Sequence, residues 1–525
     1  MKTTRRQFIT AVGAAATGLA SSSLSAKECP KRSKPQRQPN ILVIMTDQHS
    51  KHFLGCYGNH IVRTPNLDRL ANEGMRFDSA YCPAPLCVPS RMSFLTGRTP
   101  SRNRVWHNQG ILASGIPTWA HVLAAEGYET SLIGRMHFAG PDQRHGFMNR
   151  PIGEYSAKYP GSPYKSSYPK PKAHYHGGSG QRRSCVELAG RGKTSYQHFD
   201  EQIVDKACQY ITERSRSSKK PFAATVGLVL PHCPFIAPKP LYNYYADKVD
   251  PPRTGGDVPP TIRRFRKLRG ILEPLPEKRI RIARTAYYGM CEHLDMLIGK
   301  ILSRLDDTGL AENTLVVYCT DHGEMAGEHD CWWKSNYYEG SANVPMIARL
   351  PGVVPSNSAS DAVCNLMDIG PTLAEIAGGK MPDVDGRSLW KTLQERRDEE
   401  WVDETYSEFC DMVGRAARPC RMIRSDKWKL WLYADDERLP PTLFNLEEDP
   451  HEMHDLGSDP ATAKIREKLI AKIFDRWNPQ DVSRGSRQAL TDWKTLSRWG
   501  SKVQPPCPDA LEVPPPSLEA DVELL

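Results

Sequence analysis

Four short apolar runs in this 525-residue chain end in side chains able to bind a cation, move a proton or hold an anion. After ILVIM (41–45) come Asp47 and Gln48, and after YETSLIG (128–134) come Arg135 and His137. His232 follows FAATVGLVL (222–230), and Asp321 and His322 follow TLVVYC (314–319). Unbroken β-branched runs are what strands covered on both faces look like, and an open parallel sheet binds ligands outside the carboxyl ends of its strands. Carboxylate, carboxamide and imidazole donors suit a divalent cation, imidazole suits proton transfer, and a guanidinium suits an anion. A polar residue after one strand is usually a turn former; four sets together suggest a shared rim.

A second segment, CVPSRMSFLTGR (87–98), carries a nucleophile. Pro89 suits the first position of a helix, where its fixed φ and missing amide cost nothing. Residue 87 then stands at a helix N-terminus, where free amides and the dipole favour an anion, and a cysteine there can be a low-pKa thiolate. An isolated cysteine is otherwise a small buried hydrophobe.

These residues need elements to hold them. Amphipathic stretches at 64–74, 117–127 and 278–307 read as helices between the strands, so the expected fold is α/β, a mainly parallel sheet with helices on both sides. Residues 40–390 form the catalytic domain and 391–525 a smaller C-terminal α+β subdomain, with antiparallel strands at 426–433 and 441–447 before a helix at 462–477. Residues 151–196, rich in Tyr, Pro, Ser and Gly, read as a surface excursion bordering the site. The run Arg263, Arg264, Arg266, Lys267, Arg269 reads as a solvated helical face or a polyanion patch.

Of the net charge of +9, residues 1–39 account for seven, so basicity does not point to nucleic acid. Residues 1–26, with Arg5 and Arg6 before an Ala/Gly-rich stretch, resemble a twin-arginine export signal, and 27–39 form a basic linker. Export to the periplasm or outside follows, with that machinery as partner. With 39% hydrophobic residues and no apolar run of the required length, no membrane span is expected. Fourteen scattered cysteines without a Cys-x-x-Cys pair suit neither a disulfide scaffold nor a zinc module.

Cys87-x-Pro89-Ser90-Arg91 followed by Leu95-Thr96-Gly97-Arg98 resembles the signature of formylglycine-dependent sulfatases, in the alkaline phosphatase superfamily. The likeness continues through TDQ (46–48), GRMHFAGPDQRHGF (134–147), PHCPF (231–235), TDHGEMAGEH (320–329), Lys334, MDIGPTLAEIAG (367–378) and LFNLEEDPHEMHDL (443–456). It implies an alkaline phosphatase-like sheet, a maturation enzyme that oxidises Cys87 to formylglycine, and hydrolysis of a sulfated small molecule or glycan. The hydrated aldehyde is a geminal diol: one hydroxyl attacks sulfur and the other later expels sulfate. The implied metal ligands are Asp47, Gln48, residue 87, Asp321 and His322. Arg91 holds the diol and metal shell, and His137 orients or deprotonates the diol. His232 protonates the leaving alcohol, Lys334 binds sulfate, and Arg135 and Asn108 contact its oxygens. Calcium is the implied ion.

Gln48 and His322 stand where most sulfatases carry Asp and Asn, which leaves room for manganese or zinc. Both are similar to the choline sulfatase and phosphonate monoester hydrolase branches. Three further readings stand: choline sulfatase, with a cage from Trp106, Trp332, Trp333, Tyr337 and Tyr338, aromatics that equally suit stacking on sugars or filling core; phosphonate or phosphate ester hydrolase; and a non-catalytic binder of sulfated glycans. Export and the long excursion favour a sulfated carbohydrate.

Overall fold

In the computed structural model, which describes residues 38–153, 180–217, 220–395, 400–413, 416–506, 509 and 522–525, the four apolar runs are strands. They are Asn40–Thr46, Glu129–Gly134, Phe222–Gly227 and Thr314–Thr320. The export signal, the linker to residue 37 and residues 154–179 of the excursion lie outside the described residues. The third strand stops short of residue 230 because the amides of Val229 and Leu230 turn to the Asp200 carboxylate instead of a neighbouring strand.

These strands belong to an eight-stranded sheet in the order Ser358–Ser360, Met75–Phe77, Met346–Arg349, Thr314–Thr320, Asn40–Thr46, Phe222–Gly227, Glu129–Gly134, Asn149–Ile152. Met346–Arg349 runs against both of its neighbours, and the other pairings are parallel. Every residue of Asn40–Thr46 and Thr314–Thr320 is buried, so both faces are covered. Burying each Val, Ile or Leu side chain there contributes about 1.5–3 kcal/mol.

Two helical groups supply the cover. Pro65–Asn72 and Ser195–Ser217 pack on the long helix Glu277–Asp307, while Cys87–Thr96, Trp119–Ala125 and Ile369–Ala377 pack together. Among the described residues no helix is long and apolar enough to cross a membrane.

A four-stranded antiparallel sheet, Glu404–Val413, Ala416–Ser425, Trp428–Tyr433 and Thr442–Asn445, follows in the C-terminal part. Helices Ala463–Asp475 and Pro479–Val503 pack against it. It is bound tightly to the rest, and residues Pro39–Leu525 form one compact unit. The buried Lys429 ammonium lies 2.7 Å from Glu339 and also contacts Glu452. Tyr337 donates from its hydroxyl to the Cys420 carbonyl at 3.0 Å. The basic run lies on helix Pro260–Arg269, where Arg263 and Lys267 are exposed while the other three side chains are paired. Arg264 pairs with Asp435, Arg266 with Asp330 and Arg269 with Asp411, because this helix packs between two parts of the chain.

Candidate active site

Cys87 is the first residue of the buried helix Cys87–Thr96. The helix begins two residues before the position expected from Pro89, which costs little because first-turn amides have no intrahelical acceptor. The Val88 amide donates to Asn108 Oδ1 at 3.1 Å, so Asn108 caps this helix end with its oxygen. Ser90 Oγ donates to the Asp321 carbonyl at 2.6 Å and pins the helix to the strand end.

Asp47, Cys87, Asp321 and His322, from three distant segments, present one ligand atom each within 4.8 Å of one another. The His322 Nδ1 proton is taken by the Gly323 carbonyl at 3.1 Å. Its Nε2 therefore offers a lone pair, 3.1 Å from Cys87 Sγ, 3.6 Å from Asp47 Oδ1 and 3.5 Å from Asp321 Oδ1. Two carboxylates and an imidazole aimed at one point, beside an atom that oxidation would turn from sulfur to oxygen, fit a divalent cation.

Arg91, fully buried, balances the carboxylates from the other side. Its Nε meets Asp321 Oδ2 at 2.8 Å and its Nη2 meets Asp47 Oδ2 at 3.2 Å. It also donates to the Thr46 and Arg135 carbonyls. The close approach of Arg135 depends on Gly227, where an added Cβ would stand 1.7 Å from the Arg135 carbonyl oxygen. Arg135 Nε lies 2.9 Å from Asp47 Oδ2, and its Nη2 donates to His137 Nδ1 at 2.8 Å. Burial opposes ionisation of Asp47, yet Arg135, His232, Arg91 and His322 hold its carboxyl well below the usual range. Burial, then Arg135, pushes the His137 imidazole pKa well down.

Gln48 adopts a left-handed backbone (φ 69°) and is gripped at both ends: its amide nitrogen donates to Glu324 and its oxygen accepts from Lys334. The Lys334 ammonium also lies 2.8 Å from His232 Nε2, while His232 Nδ1 donates to the Cys233 carbonyl at 2.6 Å. The Lys334 ammonium is thus the donor and His232 Nε2 the acceptor. Burial and the Lys334 charge lower the His232 pKa; burial works against the Lys334 charge, but Cys87 and Asp47 raise its pKa overall.

Two buried acids escaped the sequence reading. Glu324 accepts from the Ala326 and Trp333 amides as well as from Gln48; its signal was an acid two residues after His322. Asp200 accepts the Val229 and Leu230 amides just before His232, and nothing in its ordinary amphipathic helix marked it. Burial pushes the Asp200 pKa up to about 7, above its unfolded value near 3.8. A raised carboxyl pKa stabilises the folded protein fully below the unfolded value, and that contribution is lost as pH rises through the folded one. Denaturant unfolding from pH 4 to 8 should therefore show a decline of up to about 4 kcal/mol from this group. Asp200→Asn should flatten the curve in that window; an unchanged curve would refute the assignment.

The aromatic residues considered for a cage fill the core instead. Trp106, Trp332, Trp333, Tyr337 and Tyr338 are all buried, with Trp332 against Phe235 and Tyr337 and Tyr338 against Trp431. Large rings close the seam between the two sheets because they bury the most apolar area per residue.

The mainly parallel sheet, the convergent carboxylates and the cysteine at a helix start fit a hydrolase of the alkaline phosphatase superfamily. The pattern of the Sulfatase family matches residues 39–379, and that of the N-sulphoglucosamine sulphohydrolase C-terminal region matches 327–478. A choline-sulfatase of Rhizobium meliloti (strain 1021) is 33% identical over 444 residues, covering 81% of this chain and 83% of the relative. Among solved structures, the phosphonate monoester hydrolase of Agrobacterium radiobacter superposes with a TM-score of 0.67 at 22% identity, covering 86% of this chain and 97% of that one. A protein solved in complex with its substrate D-glucosamine-2-N,6-O-disulfate gives 0.65 at 21% identity, covering 87% and 99%. The chain belongs to the Sulfatase family and is a sulfuric ester hydrolase.

Proposed function

We propose that this protein releases inorganic sulfate from a sulfated carbohydrate in the periplasm or outside the cell, using a formylglycine made from Cys87. The convergence of Asp47, Cys87, Asp321 and His322 within 4.8 Å is the observation that carries the reading. A calcium ion held by Asp47, Asp321, His322 and residue 87 would acidify the attacking hydroxyl and neutralise sulfate oxygens when bound. Gln48 is a further ligand if Lys334 releases its oxygen to bind sulfate instead. Arg91 keeps both aspartates aligned and helps hold Asp47 ionised. Arg135 orients Asp47 and His137, and His137 in turn orients the diol or takes its proton. Lys334 and Asn108 hold sulfate oxygens. His232 stands at the departing alcohol oxygen and passes to it a proton from the Lys334 ammonium, which donates to His232 Nε2 at 2.8 Å.

Support for a sugar comes from the neighbour solved with a disulfated glucosamine and from the absence of a cage among the five aromatics. Export through the twin-arginine route allows the maturation enzyme to act first, in the cytoplasm. Hydrolysis of phosphonate monoesters is the second reading, favoured by the fold neighbour of that activity and by Gln48 and His322. Measuring kcat/KM for 4-nitrophenyl sulfate against 4-nitrophenyl phenylphosphonate tests the choice. A clear preference for sulfate is expected, and a large preference for the phosphonate would overturn it.

A further inference from the structure

The far end of the excursion touches both segments that would handle the departing alcohol. The Gly180 carbonyl faces Cys233 Sγ at 4.0 Å, beside His232. Gln181 Nε2 donates to Ser335 Oγ at 3.0 Å, beside Lys334. Fifteen residues after Gln181, the half-buried Tyr196 sets its ring edge-on to His232, with centroids 6.0 Å apart and planes at 74°. The ester oxygen that leaves must lie at His232 Nε2 to receive a proton, so whatever flanks His232 meets the alcohol.

One atom there is left without a partner. Gln181 Oε1 is buried and accepts no hydrogen bond, although its own amide nitrogen is anchored by Ser335. A shielded carbonyl oxygen without a donor is costly, and a hydroxyl of the bound alcohol would relieve that cost. A quaternary ammonium has no donor to give and calls for several ring faces, whereas one ring and one amide oxygen suit a hydroxylated ring.

Resting on the sulfatase reading above, we propose that Gln181 and Tyr196 form the leaving-alcohol subsite and select a sugar. A hydroxyl beside the sulfated carbon donates to Gln181 Oε1, and the face of the sugar lies on the Tyr196 ring. The selection acts on the alcohol, while the sulfate is held by Lys334.

The test uses the full, matured protein with N-acetylglucosamine 6-sulfate, galactose 6-sulfate, an unsaturated 2-O-sulfated uronyl disaccharide, choline sulfate and 4-nitrophenyl sulfate as probes. At least one sugar sulfate should be cleaved faster than choline sulfate. Gln181→Ala should then lower the ratio of kcat/KM for that sugar to kcat/KM for 4-nitrophenyl sulfate by roughly 10- to 100-fold, the cost of one lost hydrogen bond in a shielded site. Tyr196→Ala should lower sugar turnover roughly 10-fold and Tyr196→Phe should restore it, because the ring and not the hydroxyl makes the contact. An unchanged ratio in Gln181→Ala, equal losses on all probes, or a preference for choline sulfate over every sugar would overturn the subsite. Those outcomes leave sulfate hydrolysis intact. Failure of the matured wild-type protein on 4-nitrophenyl sulfate as well would overturn the reading of the whole site.

Discussion

Cys87→Ala is expected to lower kcat on 4-nitrophenyl sulfate by roughly 10⁵-fold or more, the scale on which an enzyme loses its nucleophile. The side chain is buried at the start of its helix and 3.1 Å from His322 Nε2, and the Ser90 hydroxyl on the same helix is held by the Asp321 carbonyl. Alanine fits the same space, and the variant should fold and keep its far-ultraviolet spectrum. Cys87→Ser separates attack from release: a single hydroxyl can attack sulfur but cannot collapse to an aldehyde, so alcohol release should stop near one equivalent per protein. Mass spectrometry of the peptide containing residue 87 should show the aldehyde in wild type grown with the maturation enzyme and the thiol without it. An alanine variant with wild-type turnover would falsify the mechanism.

The second large effect is on stability. Arg91→Leu removes the guanidinium that bridges Asp47 at 3.2 Å and Asp321 at 2.8 Å, and all three side chains are 0% exposed. Breaking a buried pair by deleting one partner typically costs about 3–5 kcal/mol, because the remaining charge is left unpaired in a low dielectric. Here two carboxylates lose the same partner, so the upper end is expected by denaturant unfolding in a chelator. Added calcium should recover part of the loss, since a cation between the carboxylates replaces the missing charge and stabilises the state that binds it. Calcium should therefore raise the unfolding midpoint more in the variant than in wild type. Arg91→Lys should not rescue, because one ammonium cannot reach both carboxylates and two backbone carbonyls. Equal calcium effects in both proteins would count against an ion at Asp47 and Asp321.

The same geometry ties the C-terminal sheet to chemistry. The loop after Lys334 runs into Tyr337, Tyr338 and Glu339, which contact Cys420, Trp431, Lys429 and Glu452 of that part of the chain. The matched C-terminal family region starts at residue 327, before Lys334, which agrees with this continuity. The segment that carries Lys334 is thus anchored on the C-terminal sheet.

Local features were legible in the linear chain because they depend on neighbours in sequence. Four unbroken apolar runs predicted four parallel strands, their polar ends predicted the rim, and Pro89 placed Cys87 at a helix start. Only the tertiary structure decided which atoms face one another. Sheet order brings Gln48 to Asp321 across 273 positions and Lys334 to Gln48 across 286, distances over which sequence pattern carries no pairing information. It also fixed the lone pair of His322 toward the carboxylates through the Gly323 carbonyl, and it buried Asp200 and Glu324 as supports. The role of the aromatic cluster and the pairing within the basic run stayed open in the sequence for the same reason. An exposed aromatic and a core aromatic, or a paired arginine and a solvated one, look alike until the partner segment is packed against them.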